Sequence, residues 1–244
     1  MTADQDDCAG IDGCRGGWAV AVVSAEGMTD AAPRTVRLTV VPDFAEALTL
    51  ARDARCIAVD MPIGLLSSPR PGGRDCDRAA RALLGRQGSS VFSPPARPAL
   101  VAVDYREAQR LQGAGLSIQT WNIVPRIREV DAVMTPSLQG RVFEAHPELA
   151  FRTLAGGDVA LARKATAEGF SERVALLTRV LGASMPDLRE ARSRLGAARV
   201  GLDDLADALV LADVARRVAA GDAFRVPVGA PPVDARGLRM EIWL

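Results

Sequence analysis

The chain contains one lysine, one histidine and four cysteines in 244 residues. A single histidine and no Cys-x-x-Cys pair exclude a zinc site of the usual spacing. Cys8, Cys14 and Cys56 lie in or beside apolar runs, as small buried hydrophobes of a reducing compartment do. No apolar run approaches the ~18–20 residues needed to cross a bilayer. The start, Met1-Thr2-Ala3-Asp4-Gln5-Asp6-Asp7, lacks the basic and apolar regions of a secretory signal, so a cytoplasmic location is expected. Basic and acidic residues balance at 30 each, so no positive excess draws the protein onto nucleic acid. Such contact would need a local arginine patch. Lys164 is the only lysine; all other basic side chains but the histidine are arginine. Guanidinium groups suit phosphate, but the abundance of Ala and Arg is also what a coding bias produces.

What is present reads as alternating strands and helices. Residues 8–14 and 18–24 are two strands around Arg15-Gly16-Gly17, a tight glycine turn. Residues 35–41 form a third strand. Helical spacing through Phe44, Ala47, Leu48 and Ala51 predicts a helix over 44–54, with Asp43 as N-cap. Residues 56–60 are a wholly apolar strand up to Asp60, the pattern of a strand buried on both faces. Residues 66–100 are rich in Pro, Gly, Ser and Arg, around a helix over 74–84. Another helix is predicted over 117–131. With few apolar positions for a core of its own, 66–140 reads as an insertion or lid on a single domain. Residues 141–148 resume the sheet, helices fill about 158–200, and a helix over 203–220 stops at Gly221. The tail 238–244 reads as a last edge strand.

Acidic residues interrupt these apolar elements. Asp12 lies within the first strand and Asp60 ends the fourth. A carboxylate there is costly unless paired or bound to a cation. Asp12 has an equal alternative as a turn acceptor beside Arg15-Gly16-Gly17. Glu144, His146 and Glu148 alternate, which in a strand puts all three on one face; Glu144 is the favoured metal ligand. His146, flanked by carboxylates, suits a proton relay. Asp203, Asp204 and Asp207 share one side of the late helix: Asp207 falls about 40° from Asp203 and about 60° from Asp204 at 100° per residue. Asp203 also suits an N-cap. Arg74, Arg78 and Arg81 share a helical face and form a candidate phosphate-binding set, against the plainer reading of a solvated face paired with Asp75 and Asp77.

Several stretches carry a family resemblance: Gly10-Ile11-Asp12-Gly13-Cys14-Arg15-Gly16-Gly17-Trp18, Asp60-Met61-Pro62-Ile63-Gly64-Leu65, Ser90-Val91-Phe92, Glu144-Ala145-His146-Pro147-Glu148 and Asp203-Asp204-Leu205-Ala206-Asp207-Ala208. In this order they resemble the DUF429 family, predicted nucleases of RNase H-like fold. The resemblance implies an architecture similar to Holliday-junction resolvases: a hairpin strand with the first Asp, a central acidic strand, and a last helix with an Asp pair. Those roles would fall on Asp12, Asp60 and the Asp204/Asp207 pair, with Asp203 as a substitute within the pair.

The expected fold is therefore α/β, an RNase H-like mixed sheet (β-β-β-α-β-α-β-α) of five or six strands, with helices on both faces and a helical insertion at about 66–140. The expected activity is metal-dependent hydrolysis of phosphodiester bonds in structured DNA or RNA. Asp12 would bridge two Mg²⁺ or Mn²⁺ ions ~3.5–4 Å apart, with Asp60, Asp204 and Asp207 completing their shells. Two alternatives remain open. One is a nucleotide-binding or phosphotransfer protein of the actin-like ATPase type, although Asp60-Met61-Pro62 does not fit the second phosphate loop of that superfamily. The other is a non-catalytic scaffold retaining the fold.

Overall fold

The computed structural model describes residues 7–25, 34–113, 115–157 and 160–244. The acidic start and part of the segment expected to be helical from 158 lie outside them. Seven strands are described: β1 (Cys8–Cys14), β2 (Gly17–Ala25), β3 (Arg34–Val41), β4 (Cys56–Val59), β5 (Val142–Glu144), β6 (Arg225–Val226) and β7 (Ile242–Trp243). The α-helices described are α1 (Phe44–Leu50), α2 (Asp75–Leu84), α3 (Tyr105–Gln112), α4 (Ile118–Val133), α5 (Pro147–Leu154), α6 (Ala167–Leu181), α7 (Leu188–Leu195) and α8 (Leu202–Ala220). The chain divides into two compact units. One comprises 1–60, 141–224 and 244; the other comprises 61–140 and 225–243.

The first unit is built on a five-stranded mixed sheet in the order β3-β2-β1-β4-β5. β1, β2 and β3 form an antiparallel meander, and β4 and β5 add in parallel. Side-chain alternation sorts β1 into two faces. Ile11 is registered with Val20, and Gly13 with Trp18. The Trp18 ring packs against Phe44 of α1, tilted at 51° with centroids 5.0 Å apart, which places α1 on that face. Asp43 caps α1 as expected, accepting from the Glu46 amide at 2.8 Å. The helix stops at Leu50, short of 54, because Ala51 leaves helical geometry and the chain turns toward β4.

The opposite face of β1 carries Cys8, Gly10 and Asp12 against α8. A Cβ on Gly10 would lie 2.0 Å from the Ala208 carbonyl and 2.3 Å from the Ala212 amide. Glycine is what lets the helix backbone rest on the strand. With the sheet beneath it and α5, α6 and α7 packed around it, α8 is buried without interruption from Leu205 to Ala215. That enclosure includes Asp207 and Asp213. Asp213 is matched by Arg216 at 2.9 Å.

The second unit has its own buried residues, contrary to the expectation of too few apolar positions. Ile63, Leu65, Cys76, Ala80, Leu84, Ile127 and Met134 are buried in it, with Leu238, Met240 and Ile242 contributed by the tail. A smaller cluster gathers Ala102, Ala108 and Leu116 beneath Tyr105 and Trp121. Trp121 is thus a packing residue. The tail does not extend the main sheet: β7 pairs with β6 in a separate antiparallel ribbon. All four cysteines are buried thiols. Among the described residues, no helix is long and apolar enough to cross a membrane.

Candidate functional site

The first unit concentrates carboxylates at one end of its sheet. β1 and β4 run parallel with Gly10 opposite Ala58 and Ile11 opposite Val59. The ladder continues as the Asp60 amide donates to the Ile11 carbonyl at 3.0 Å. Alternation then sets Asp12 and Asp60 side by side at the carboxyl ends of their strands, on the face that α8 covers. The contact at Gly10 fixes α8 at Ala208, so Asp207, one residue earlier, reaches the same corner. Asp204 lies one turn nearer the helix start.

The electrostatics of these acids follow from their shared, buried neighbourhood. Burial raises the Asp12 carboxyl well above the usual carboxylate range, and the charges of Asp207, Asp60 and Asp204 raise it further. Burial also pushes Asp60 up to about 7, with Glu148 adding to the effect and Lys164 opposing it. Asp207 is likewise raised to about 7, by burial and then by Asp60 and Glu148 against the pull of Lys164. Asp204 is raised by burial although it accepts the Gly201 amide at 2.7 Å. The helix begins at Leu202 with Gly201 as N-cap, so Asp204 holds the capping bond and Asp203 stands exposed. Asp204 and Asp207 are therefore the inward pair.

Sequence reasoning assigned neither Lys164 nor Arg173 to this corner, and it ranked Glu148 below Glu144. Lys164 places its ammonium 3.2 Å from Asp207 Oδ2. Burial works to lower the Lys164 pKa, but Asp207, Asp12 and Asp60 outweigh it and hold the group above its ordinary value. Glu148 is bound by the Arg173 fork, at 2.6 Å and 3.2 Å. The lone lysine in an arginine-rich chain was a visible signal; the Glu148–Arg173 pair, 25 residues apart, left none.

The structure revises the reading of Glu144, His146 and Glu148. β5 ends at Glu144, and Pro147 opens α5, with His146 as its N-cap. Proline suits the first helical position. The three side chains are therefore not one strand face. Glu144 is registered with Val59, on the sheet face opposite Asp12 and Asp60. Glu148, ranked below Glu144 on the sequence, raises the pKa of both Asp60 and Asp207. His146 sits two residues before Glu148 and is half-buried.

The arginine set belongs to the second unit and serves it internally. Arg74 is 1% exposed. Its guanidinium pairs with Asp77 at 2.7 Å and donates to the carbonyls of Ile63 and Gly64. An enclosed side chain of this kind has no surface to offer a phosphate. Arg78 donates to Gly73 and pairs with Asp75, while Arg81 holds Gly72, Val91 and Ser93.

Among the described residues, no three His, Cys, Asp or Glu side chains gather into a ready-made metal cage. The donor chemistry nevertheless suits a hard divalent cation. Asp12, Asp60, Asp204 and Asp207 offer only oxygen ligands, and burial, the largest cause of their raised pKa values, makes their ionised forms costly in the absence of a cation.

Fold and site together define an α/β protein whose mixed sheet meets a buried helix at an acidic corner. The family described as "Protein of unknown function (DUF429)" matches residues 10–231, and the chain belongs to that family. No curated protein matches the chain, and no solved structure does.

Proposed function

We propose that this protein is a metal-dependent hydrolase of phosphodiester bonds in nucleic acid, on a sheet of RNase H-like type, working in the cytoplasm. One observation carries the reading: Asp12, Asp60 and Asp207, from two adjacent strand ends and the helix above them, are all raised by burial in one corner, where the charges of Asp207 and Asp60 raise Asp12 further and the charge of Asp60 raises Asp207 further. Such an arrangement is costly in the absence of a cation. Asp12, Asp60, Asp204 and Asp207 would hold Mg²⁺ or Mn²⁺. The ion would supply Lewis-acid charge at the phosphoryl group. Glu148, locked by Arg173, keeps the corner negative without being a mobile group. His146, at the N-cap of α5, remains the candidate to carry a proton.

The Lys164–Asp207 ion pair favours a second reading, a non-catalytic scaffold whose lysine closes the acid cluster. Cleavage assays on structured DNA and RNA–DNA hybrids with Mg²⁺ or Mn²⁺ decide between them. Asp12→Asn and Asp207→Asn are each expected to reduce cleavage by about 100-fold or more. Undiminished cleavage in both variants refutes the assigned roles, and a wild-type protein without cleavage favours the scaffold.

A further inference from the structure

The acid corner contains two ion pairs of opposite character. At Glu148 the partner is Arg173, 3% exposed, gripping both carboxylate oxygens. A planar fork of this kind, enclosed on all sides, is a permanent partner. At Asp207 the partner is Lys164, which makes one 3.2 Å contact and leaves its side chain 48% exposed. A single-point contact on a long flexible stem with a path to solvent can be exchanged.

The loop that presents Lys164 is nonetheless firmly built. The Ala162 amide donates to Glu172 at 2.7 Å, and the Ala162 carbonyl accepts from Arg173 at 3.0 Å. The Arg163 carbonyl accepts from both the amide and the hydroxyl of Thr166. A Cβ on Gly169 would lie 2.2 Å from the Arg163 carbonyl, so a glycine there lets the loop lie against the start of α6. A hydrogen-bonded backbone thus delivers a singly held, half-exposed ammonium to the acids. It is also the one place in the chain where lysine stands, amid 30 lysines and arginines.

We propose that Lys164 is the resident counter-ion of the acid corner, seated on Asp207 where a divalent cation has to bind, and displaced when that cation arrives. The inference rests on the metal-binding reading above. An ammonium and a divalent cation repel each other across one carboxylate, so the seated ammonium opposes the metal and the apparent metal affinity scales with the fraction of molecules whose seat is open. A seat filled in about nine molecules of ten weakens binding about tenfold.

Titration of the full chain with Mn²⁺, followed by electron paramagnetic resonance, tests this. Lys164→Met keeps the stem and removes the charge; it is expected to bind Mn²⁺ about tenfold more tightly than wild type. Lys164→Arg keeps the charge and is expected to bind no more tightly than wild type. If Lys164→Met fails to fold by circular dichroism, Lys164→Gln takes its place. As the sole lysine, Lys164 also reports directly: Mn²⁺ is expected to accelerate its acylation by an amine-reactive reagent, read at that residue by mass spectrometry. Equal or weaker Mn²⁺ binding in the uncharged variant, or unchanged labelling while Mn²⁺ is bound, overturns the counter-ion role and leaves the metal reading intact. Absence of Mn²⁺ binding in every form overturns the metal reading and this inference with it.

Discussion

At the scale of the residue, the site is a problem of excess negative charge. Asp60 and Asp207 titrate at about 7, against about 3.9 for an unperturbed Asp. A raised native pKa means that the folded state binds more protons than the unfolded state between those values. The metal-free protein therefore gains stability as pH falls through 7 and loses it as pH rises from about 4 to 7. We expect a metal-free melting temperature higher at pH 5.5 than at pH 7.5, by the equivalent of on the order of 1–2 kcal/mol. Calorimetry in a chelating buffer reads this directly; a reversed order would contradict the buried-acid account. Asp12, Asp60, Asp204 and Asp207 were legible in the sequence because each breaks an apolar strand or follows helical spacing. Glu148 was ranked below Glu144 because Glu-x-His-x-Glu imitates strand alternation, while Pro147 starts a helix in its midst.

Among elements, the decisive contact joins β1 to α8. The missing side chain at Gly10 brings the Ala208 and Ala212 backbone onto the strand, and that approach sets Asp207 over Asp12 and Asp60. Gly10→Ala forces backbone against backbone, where no rotamer change gives relief. We expect it to destabilise the protein by about 3 kcal/mol or more, visible as a lowered urea midpoint. A neutral outcome would mean that α8 does not rest on the strand as described. Gly10 was visible beside Asp12, yet its role needs a partner almost 200 residues away. The α2 arginines teach the converse. Arg78 and Arg81 keep their helical spacing, but Arg74 is the extended N-cap before α2 and turns inward, where Asp77 and two loop carbonyls accept from it.

In the molecule as a whole, the acid corner belongs to one unit, assembled from residues before 61 and after 140. A cation bound there would tie the hairpin end, the β4 end and α8 together and would stabilise only the folded chain. We expect Mn²⁺ at about 100 times its dissociation constant to stabilise by about 2.7 kcal/mol. The shift in melting temperature should be larger at pH 7.5 than at pH 5.5, since protons compete for the raised carboxylates. An equal shift in Asp207→Asn would place the binding elsewhere. The segment 66–140 was expected to lack a core. It has one because 225–243 returns to complete it, and a return across so long a stretch of chain leaves no local pattern to read.

The sequence by itself determined the first four strands, the helices α1, α2, α4 and α8, the Asp43 cap, and which acids interrupt apolar elements, because periodicity and capping act over a few neighbouring residues. The tertiary structure alone decided which acids meet, which sheet face takes Glu144, that Arg74 is enclosed, and that Lys164 answers Asp207. Those outcomes depend on register between strands and on a helix settling against one glycine, and both are set by packing between residues far apart along the chain.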